Sequence, residues 1–444
     1  MNLTDASEYL FERAKQRNIT EFDILGGASE SVGVEVFEGK VSNTEISHGT
    51  GIGIRLFLEG RQGISFTEKF SKEALDQTLE DAISNSELTD VSEIDLPEKS
   101  VLRDIDLKTF KPELEKVGFD ELVRLSLELE KLGFSKSDKI ENIPYLGAGK
   151  SSSELILKNS KGVHYDRKFN SMSAGLGVTA ILDDQKKMGY YSNSYPSLAE
   201  FDPDKMSELA VERAVEMLGA KPVLSRKYPA ILSHRVSSSI IGMFLSPYFG
   251  ETVQKGQSRL KGKLGDKIAS EIFTMYCDPH IPGMPGSRLL DGEGVPTSHQ
   301  TIVERGNLKT FLYHLESAKK DKVAPTGNGS RSYSGKAGTS VSNLFVEKGQ
   351  NTLEELLNQY PECILVTKLE GASGCSAISG DISIGIQGFY CKDGIKVHPV
   401  DRITLSTNYF DMLGQIVALS NEYSDSYSSI KVPDILIESV SIAG

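Results

Sequence analysis

The chain has 444 residues, 39% of them apolar and 25% charged, with 41 glycines, 16 prolines and no tryptophan. At one domain per ~150 residues it is long enough for two or three domains, and its composition excludes disorder, collagen and coiled coil as the main architecture. A formal charge of −13, from 49 Lys+Arg against 62 Asp+Glu, argues against nucleic acid or an anionic membrane as partner, because both demand a basic footprint.

The first sixteen residues read as a charged amphipathic helix rather than a signal peptide. Over 31–67, apolar–polar alternation is punctuated at Gly39-Lys40, His48-Gly49-Thr50-Gly51 and Gly60-Arg61, the pattern of a four-strand antiparallel meander. A helix follows with Ala74, Leu75, Leu79, Ala82 and Ile83 on one stripe. Residues 87–106 carry seven acids against two bases and read as an exposed connector. Residues 153–193 repeat the strand rhythm, and a second amphipathic helix is expected over 204–218. Gly39, Gly53 and Gly63 precede Gly162, Gly177 and Gly189 by 123, 124 and 126 residues. Residues 31–86 and 153–218 are therefore read as two copies of one sheet-plus-helix unit, with chance turn spacing as the alternative. Two antiparallel sheets, each helix-covered on one face, would make residues 1–222 a two-layer α+β domain.

Residues 223–444 are glycine-rich and mainly β, which suits a barrel or curved sandwich. A buried strand is expected at 229–232 and a core helix at 236–245. Hairpins are expected at 300–313 and at 382–400, the second turning on Lys392-Asp393-Gly394. Residues 326–339 read as loop, 352–359 as a short helix and 434–442 as the last strand.

Several motifs carry less than they promise. Gly147-Ala148-Gly149-Lys150-Ser151 resembles the end of a phosphate loop, but Pro144 stands where its first glycine belongs and a strand pattern follows, so no nucleotide site is expected. There is no GxSxG, and Ser233-His234 is mere adjacency. No two of the seven histidines lie within five residues of each other, so HExxH and HExxxH are absent. The four cysteines form no CxxC, which suits a reduced, cytoplasmic protein, and Cys277 with His280 makes only a half-site for metal. Lys255, Arg259, Lys261, Lys263 and Lys267 read as a solvated basic face, and Asp381 and Asp411 as turn and cap residues. No apolar run reaches the ~18 residues of a membrane span.

The C-terminal half carries an ordered series of motifs: Asp291-Gly-Glu-Gly-Val-Pro-Thr297, Val303-Glu-Arg-Gly-Asn-Leu308, Thr326-Gly-Asn328, Ser342-Asn-Leu344, Ser379-Gly-Asp-Ile-Ser383 and Asp411-Met-Leu413. With Val34-Glu-Val-Phe-Glu-Gly-Lys40 and Gly51-Ile-Gly-Ile-Arg55 near the N-terminus, the chain resembles the TldD/PmbA family over essentially its whole length. The resemblance implies two branches. TldD-type members hold zinc with HExxxH on a helix and a distant C-terminal cysteine. PmbA (TldE) members lack these ligands and pair with TldD around a cavity where unfolded peptides are cleaved. The flanking pattern places Gly242 and Pro247 where the two histidines would be, Met243 where the glutamate would be, and Lys431-Val432-Pro433 near the third ligand. No histidine or cysteine occurs in 235–276 or 399–444.

The resemblance thus implies the PmbA branch: a non-catalytic subunit, with zinc only in a TldD-type partner and no cofactor of its own. Its partners would be a TldD-like subunit in a heterodimer, or itself in a homodimer, and unfolded peptides. The alternative is a self-standing homodimeric peptide-binding or scaffold protein without peptidase activity. Thr326, Gly327, Asn328, Gly329 and Asn343 are candidate peptide contacts because polar, glycine-rich loops often line cavities. A purely structural turn is the competing reading.

Overall fold

The Asn2 side chain accepts the Asp5 N–H and starts helix α1 (Leu3–Gln16), whose Leu3, Ala6, Leu10 and Ala14 form one buried stripe. The computed structural model, which describes residues 1–92 and 94–444, continues through β1 (Phe22–Phe37), β2 (Lys40–Leu58), β3 (Arg61–Thr67) and α2 (Lys72–Ser86). Then come α3 (Pro112–Glu115), α4 (Phe119–Ser135), β4 (Ile140–Asn159), β5 (His164–Leu182), β6 (Gln185–Tyr195) and α5 (Pro203–Val215).

All six strands form one antiparallel sheet in the order β3-β2-β1-β4-β5-β6. The expected pair of separate sheets is corrected here: β1 pairs with β4 from Asp23↔Asn159 to Glu35↔Gly147 and fuses the two meanders. Each meander also has three strands, not four. β2 runs unbroken through His48-Gly49-Thr50-Gly51, because Gly51 gives room for a ring instead of a turn: a Cβ there would lie 2.3 Å from the Tyr333 side chain.

Period-two alternation sends Val34, Val36, Leu146, Ala148, Leu176 and Val178 to one face, against α4 and α5. Further along the same face Ile52, Ile54 and Leu56 lie under α1 and α2. Each such Leu or Ile, fully buried, contributes about 1.5–3 kcal/mol. The opposite, concave face carries Gly27, Gly33, Gly51, Gly53, Gly147 and Gly175 on neighbouring strands.

The acidic connector is exposed along most of its described length, as expected, but it is pinned at two points. Ile94 and Leu96 are buried with Phe57, Val295 and Leu315, and the Leu96 N–H donates to Glu21; Glu93 lies outside the described residues.

The second half runs β7 (Arg226–Leu232), α6 (His234–Met243), α7 (Gly250–Gln254), β8 (Met275–Cys277), β9 (Gln300–Glu304), β10 (Asn307–Leu308), α8 (Leu315–Asp321), β11 (Gly329–Ser330), β12 (Gly338–Thr339), β13 (Leu344–Val346) and α9 (Leu353–Leu357). It ends with β14 (Glu362–Glu370), β15 (Asp381–Lys392), β16 (Ile395–Asn408), α10 (Tyr409–Gly414), β17 (Ile416–Leu419), β18 (Ile430–Lys431) and β19 (Ile435–Ala443). Strands β16-β15-β14-β7-β19 close into a five-stranded barrel where Thr404–Ser406 of β16 meets Ser441–Ala443 of β19. Asp393 and Gly394 both adopt positive φ (47° and 78°), the primed two-residue turn expected between β15 and β16. A smaller sheet, β10-β9-β8-β13-β18, shares with α6 the core packed on the barrel. The fold is thus α+β, with a helix-covered antiparallel sheet followed by a barrel. Among the described residues no helix is long and apolar enough to cross a membrane.

Candidate functional site

Helix α6 starts with the His234 N–H held by Asp434 at 2.6 Å, and it ends at Met243, where Phe244 stacks on Tyr409 with ring centroids 4.5 Å apart. Gly242 and Met243 thus form its last turn, and Pro247 sits in the 3₁₀ turn that follows. A Cβ on Gly242 would lie 3.3 Å from Ile430 Cδ1, so the helix end adjoins the segment containing Lys431, Val432 and Pro433. Met243 packs against the barrel core. Pro247 is buried, and its carbonyl accepts the Ser258 hydroxyl at 2.7 Å. The Lys431 ammonium donates to the carbonyls of Ser424 (2.9 Å) and Ser426 (2.5 Å), and burial lowers its pKa.

This donor set does not fit zinc. Glycine and proline have no side-chain ligand atom, the thioether is a weak soft donor turned to the core, and an ammonium repels a cation.

Beside this junction two connected hollows open. A cavity of about 370 Å³ is lined by Tyr191, Tyr195, Lys431 and the Lys205–Asp425 ion pair (2.7 Å). Asn193, Ser194, Ser426 and Tyr427 also border a trough of about 1190 Å³ on the concave face of the six-stranded sheet. The alternation that turns Val34, Leu146 and Leu176 towards the helices turns Gly33, Glu35, Gly147, Gly149, Ser173 and Gly175 into this trough. Its floor is nearly bare backbone, and Tyr190 lies across it: a Cβ on Gly175 would come 2.8 Å from the Tyr190 hydroxyl.

The other end of the concave face is filled from the C-terminal half. Arg55, 1% exposed, donates Nε and Nη2 to Asp23 (2.9 and 2.5 Å) and Nη1 to Glu293 (2.5 Å). Arg331 adds an ion pair to Asp23 at 2.5 Å. Burial opposes the ionised Asp23, yet Arg331 and Arg55 together hold its carboxyl below the usual range. Asp291 next to them accepts N–H bonds from Glu293, Val295 and Gly329. Burial and the neighbouring Glu293 still push its carboxyl up to about 7. Sequence reasoning missed both this network and the trough. An arginine inside the apolar run Ile52–Leu56 was the available signal.

The polar loop residues lie elsewhere. Thr326 Oγ1 bonds the backbone N–H and carbonyl of Tyr313, and Gly327 backs onto the Pro296 carbonyl at positive φ. Asn328 donates to Ser340, and Gly329 donates its N–H to Asp291. Asn343 is fully buried, donating to Asp278 and Ser287 and accepting the Gly286 N–H. These groups shape loops, and none of them borders the two hollows.

Cys277 and His280 are engaged separately: burial raises the thiol to about 11, and the His280 ring meets Thr297 at 3.0 Å. Asp381 accepts Ser379 and Asn408 in a turn. The basic stretch pairs with acids through Lys255–Glu251, Lys263–Asp266 and Lys267–Glu271. The glycine-lysine motif at 147–151 lies within β4.

Comparison with known proteins matches the chain to three models of one family. The PmbA/TldA metallopeptidase domain 1 covers residues 22–86, the central domain 112–218 and the C-terminal domain 225–444. The Metalloprotease PmbA homolog of Haemophilus influenzae is 26% identical over 96% of this chain and 94% of its own length. Metalloprotease PmbA of Escherichia coli O157:H7 is 25% identical over 94% and 91%. A crystal structure from Thermotoga maritima superposes with TM-score 0.91 at 25% identity, covering 100% of both chains. TldE of Thermococcus kodakarensis shares the fold with TM-score 0.88 at 24% identity, covering 99% of this chain and 100% of its own. With all three domain models aligned in order along it, the chain belongs to the PmbA/TldD family.

Proposed function

We propose that the chain is a PmbA/TldE-like, non-catalytic subunit of a TldD-type zinc metallopeptidase, acting in the cytoplasm and holding unfolded peptide while the partner supplies the metal. The single observation that carries this reading is the chemistry at the junction of α6 and β18, where Gly242, Met243, Pro247 and Lys431 provide no set of zinc ligands. Hydrolysis on zinc needs three protein ligands and a group to take the proton of the bound water, and these four side chains offer neither.

The adjoining trough supports the binding half of the proposal. Its glycine floor lets a peptide backbone approach closely, and β6 is an edge strand paired only with β5, so a bound peptide can add main-chain hydrogen bonds independent of sequence. In this reading residues 1–222 form a domain built from a repeated unit and supply the trough. Residues 223–444 form the domain that carries the degenerate junction.

The test is reconstitution. Purified alone, the chain is expected to hold no stoichiometric zinc and to cleave no unfolded peptide. Mixed with a TldD-type partner bearing intact HExxxH, it is expected to form a 1:1 complex with chelator-sensitive peptidase activity. Stoichiometric zinc and chelator-sensitive cleavage by the chain alone would overturn the proposal. A stable homodimer that refuses the partner would replace it with the scaffold alternative.

A further inference from the structure

We infer that the open half of the concave face takes an extended peptide segment carrying a basic residue, as the chain's own segment 331–333 already occupies the other half. This rests on the peptide-holding reading above and adds to it the class of segment selected.

The filled half shows what such a floor accepts. Gly27 and Gly51 face each other across β1 and β2, and the Tyr333 ring lies over them. A Cβ on Gly53 would lie 1.9 Å from the Tyr333 carbonyl oxygen, so backbone as well as ring rests on the sheet. Two residues earlier, Arg331 reaches Asp23 on the same face at 2.5 Å. The floor therefore holds a backbone, an aromatic ring and a guanidinium paired with a strand carboxylate.

The open half repeats the construction without the occupant. Gly147 and Gly175 face each other across β4 and β5. In the adjoining register Gly33 pairs with Glu45 and Glu35 with Asn43. Glu35 and Glu45 are the only charged side chains lining this trough, and neither has an ion-pair partner among the described residues. Tyr145 and Tyr190, 60% and 46% exposed, stand beside them. Unpaired carboxylates and open aromatic faces both attract a cation, and the glycines remove the side chains that would keep a backbone away. An extended segment with Lys or Arg satisfies all three features. A second copy of this chain, at a formal charge of −13, is a poorer match.

The experiment is fluorescence anisotropy on the full chain with three labelled unfolded peptides of about ten residues, long enough to span some 33 Å when extended. They share one Gly/Ser-rich host with a tyrosine and differ only in carrying two Lys, two Ser or two Glu. The Lys peptide is expected to bind about tenfold more tightly than the Glu peptide. The preference should disappear in E35Q/E45Q, whose thermal unfolding is checked against the parent, and shrink at about 1 M salt. Equal affinities for all three peptides, or a Lys preference surviving in E35Q/E45Q, would overturn the inference while leaving peptide holding intact. If no peptide binds either to the chain alone or to its complex with the partner, both readings fall. Self-association that blocks peptide binding as protein concentration rises would show a second copy in the trough and overturn the inference as well.

Discussion

Arg55 sits in the most apolar stretch of β2 and binds two carboxylates, one on the neighbouring strand and one 238 residues away. Breaking a buried pair leaves the partner charge stranded, which costs about 3–5 kcal/mol. Arg55→Met is accordingly expected to lower the unfolding free energy of the full chain, read from urea denaturation, by that order, with Glu293 left unneutralised and Asp23 held by Arg331 alone. Asp291 adds a pH dependence. Its folded pKa of about 7 lies above the ordinary carboxylate value, so the folded state binds this proton more tightly than the unfolded one. The stabilisation is complete below about pH 4 and is lost as pH rises through about 7. Thermal stability is therefore expected to fall by on the order of 1–2 kcal/mol from about pH 6 to about pH 8, and this component should be absent in Asp291→Asn. Little of the network was legible in the sequence. The motifs Gly51-Ile-Gly-Ile-Arg55 and Asp291-Gly-Glu293 stood out as family marks, but nothing local says that a lone arginine on one strand neutralises a glutamate in a distant loop.

At the level of elements, glycine meant two different things. Gly39 and Gly162 lie in hairpin turns at positive φ, and the sequence pattern located those turns. Gly49 and Gly51 looked the same in sequence but sit inside a strand, and what Gly51 accommodates is Tyr333, a contact no local window contains. Gly63 and Gly189 belong to the second kind. A Cβ there would lie 1.9 Å from the Ala82 carbonyl oxygen and 2.2 Å from that of Ala210, so these glycines let α2 and α5 press onto their strands. Gly189→Ala is expected to force α5 outward and cost roughly 1–3 kcal/mol, read as a lower Tm with faster proteolysis around 203–215. Helix α4 went unpredicted although Leu122, Leu125 and Leu129 mark its buried stripe, since the acidic connector before it drew 87–106 apart from any packed element. Gly242 ends α6, Pro247 lies in the 3₁₀ turn after it, and Lys431 lies in the short strand β18 that the helix end approaches.

Across the whole molecule, the two halves are joined by charge as well as by apolar packing. The Arg55 network crosses at one end of the sheet, and at the other Lys187 of β6 pairs with Asp401 of β16. A chain ending before Ile435 would lose β19, which pairs with β7 along one edge and with β17 and β16 along the other. Such a truncation is expected to leave three unpaired strand edges and partition into aggregates, measured as loss from the soluble fraction and gain of dye-binding hydrophobic surface. That pairing also sets an order of assembly. The six-stranded sheet uses only β1–β6 and is complete by Tyr195, so its hydrogen bonds can form while the rest of the chain is still being synthesised. β7 is made next, but its two neighbours are β14 and β19, and both follow it far along the chain. For 130 residues of synthesis (232 to 362) a strand whose Ala230-Ile231-Leu232 end is fully buried waits without either partner, and its second edge stays open until β19 is made, so any chaperone that attends this protein has its longest engagement with β7 and the helix that follows it.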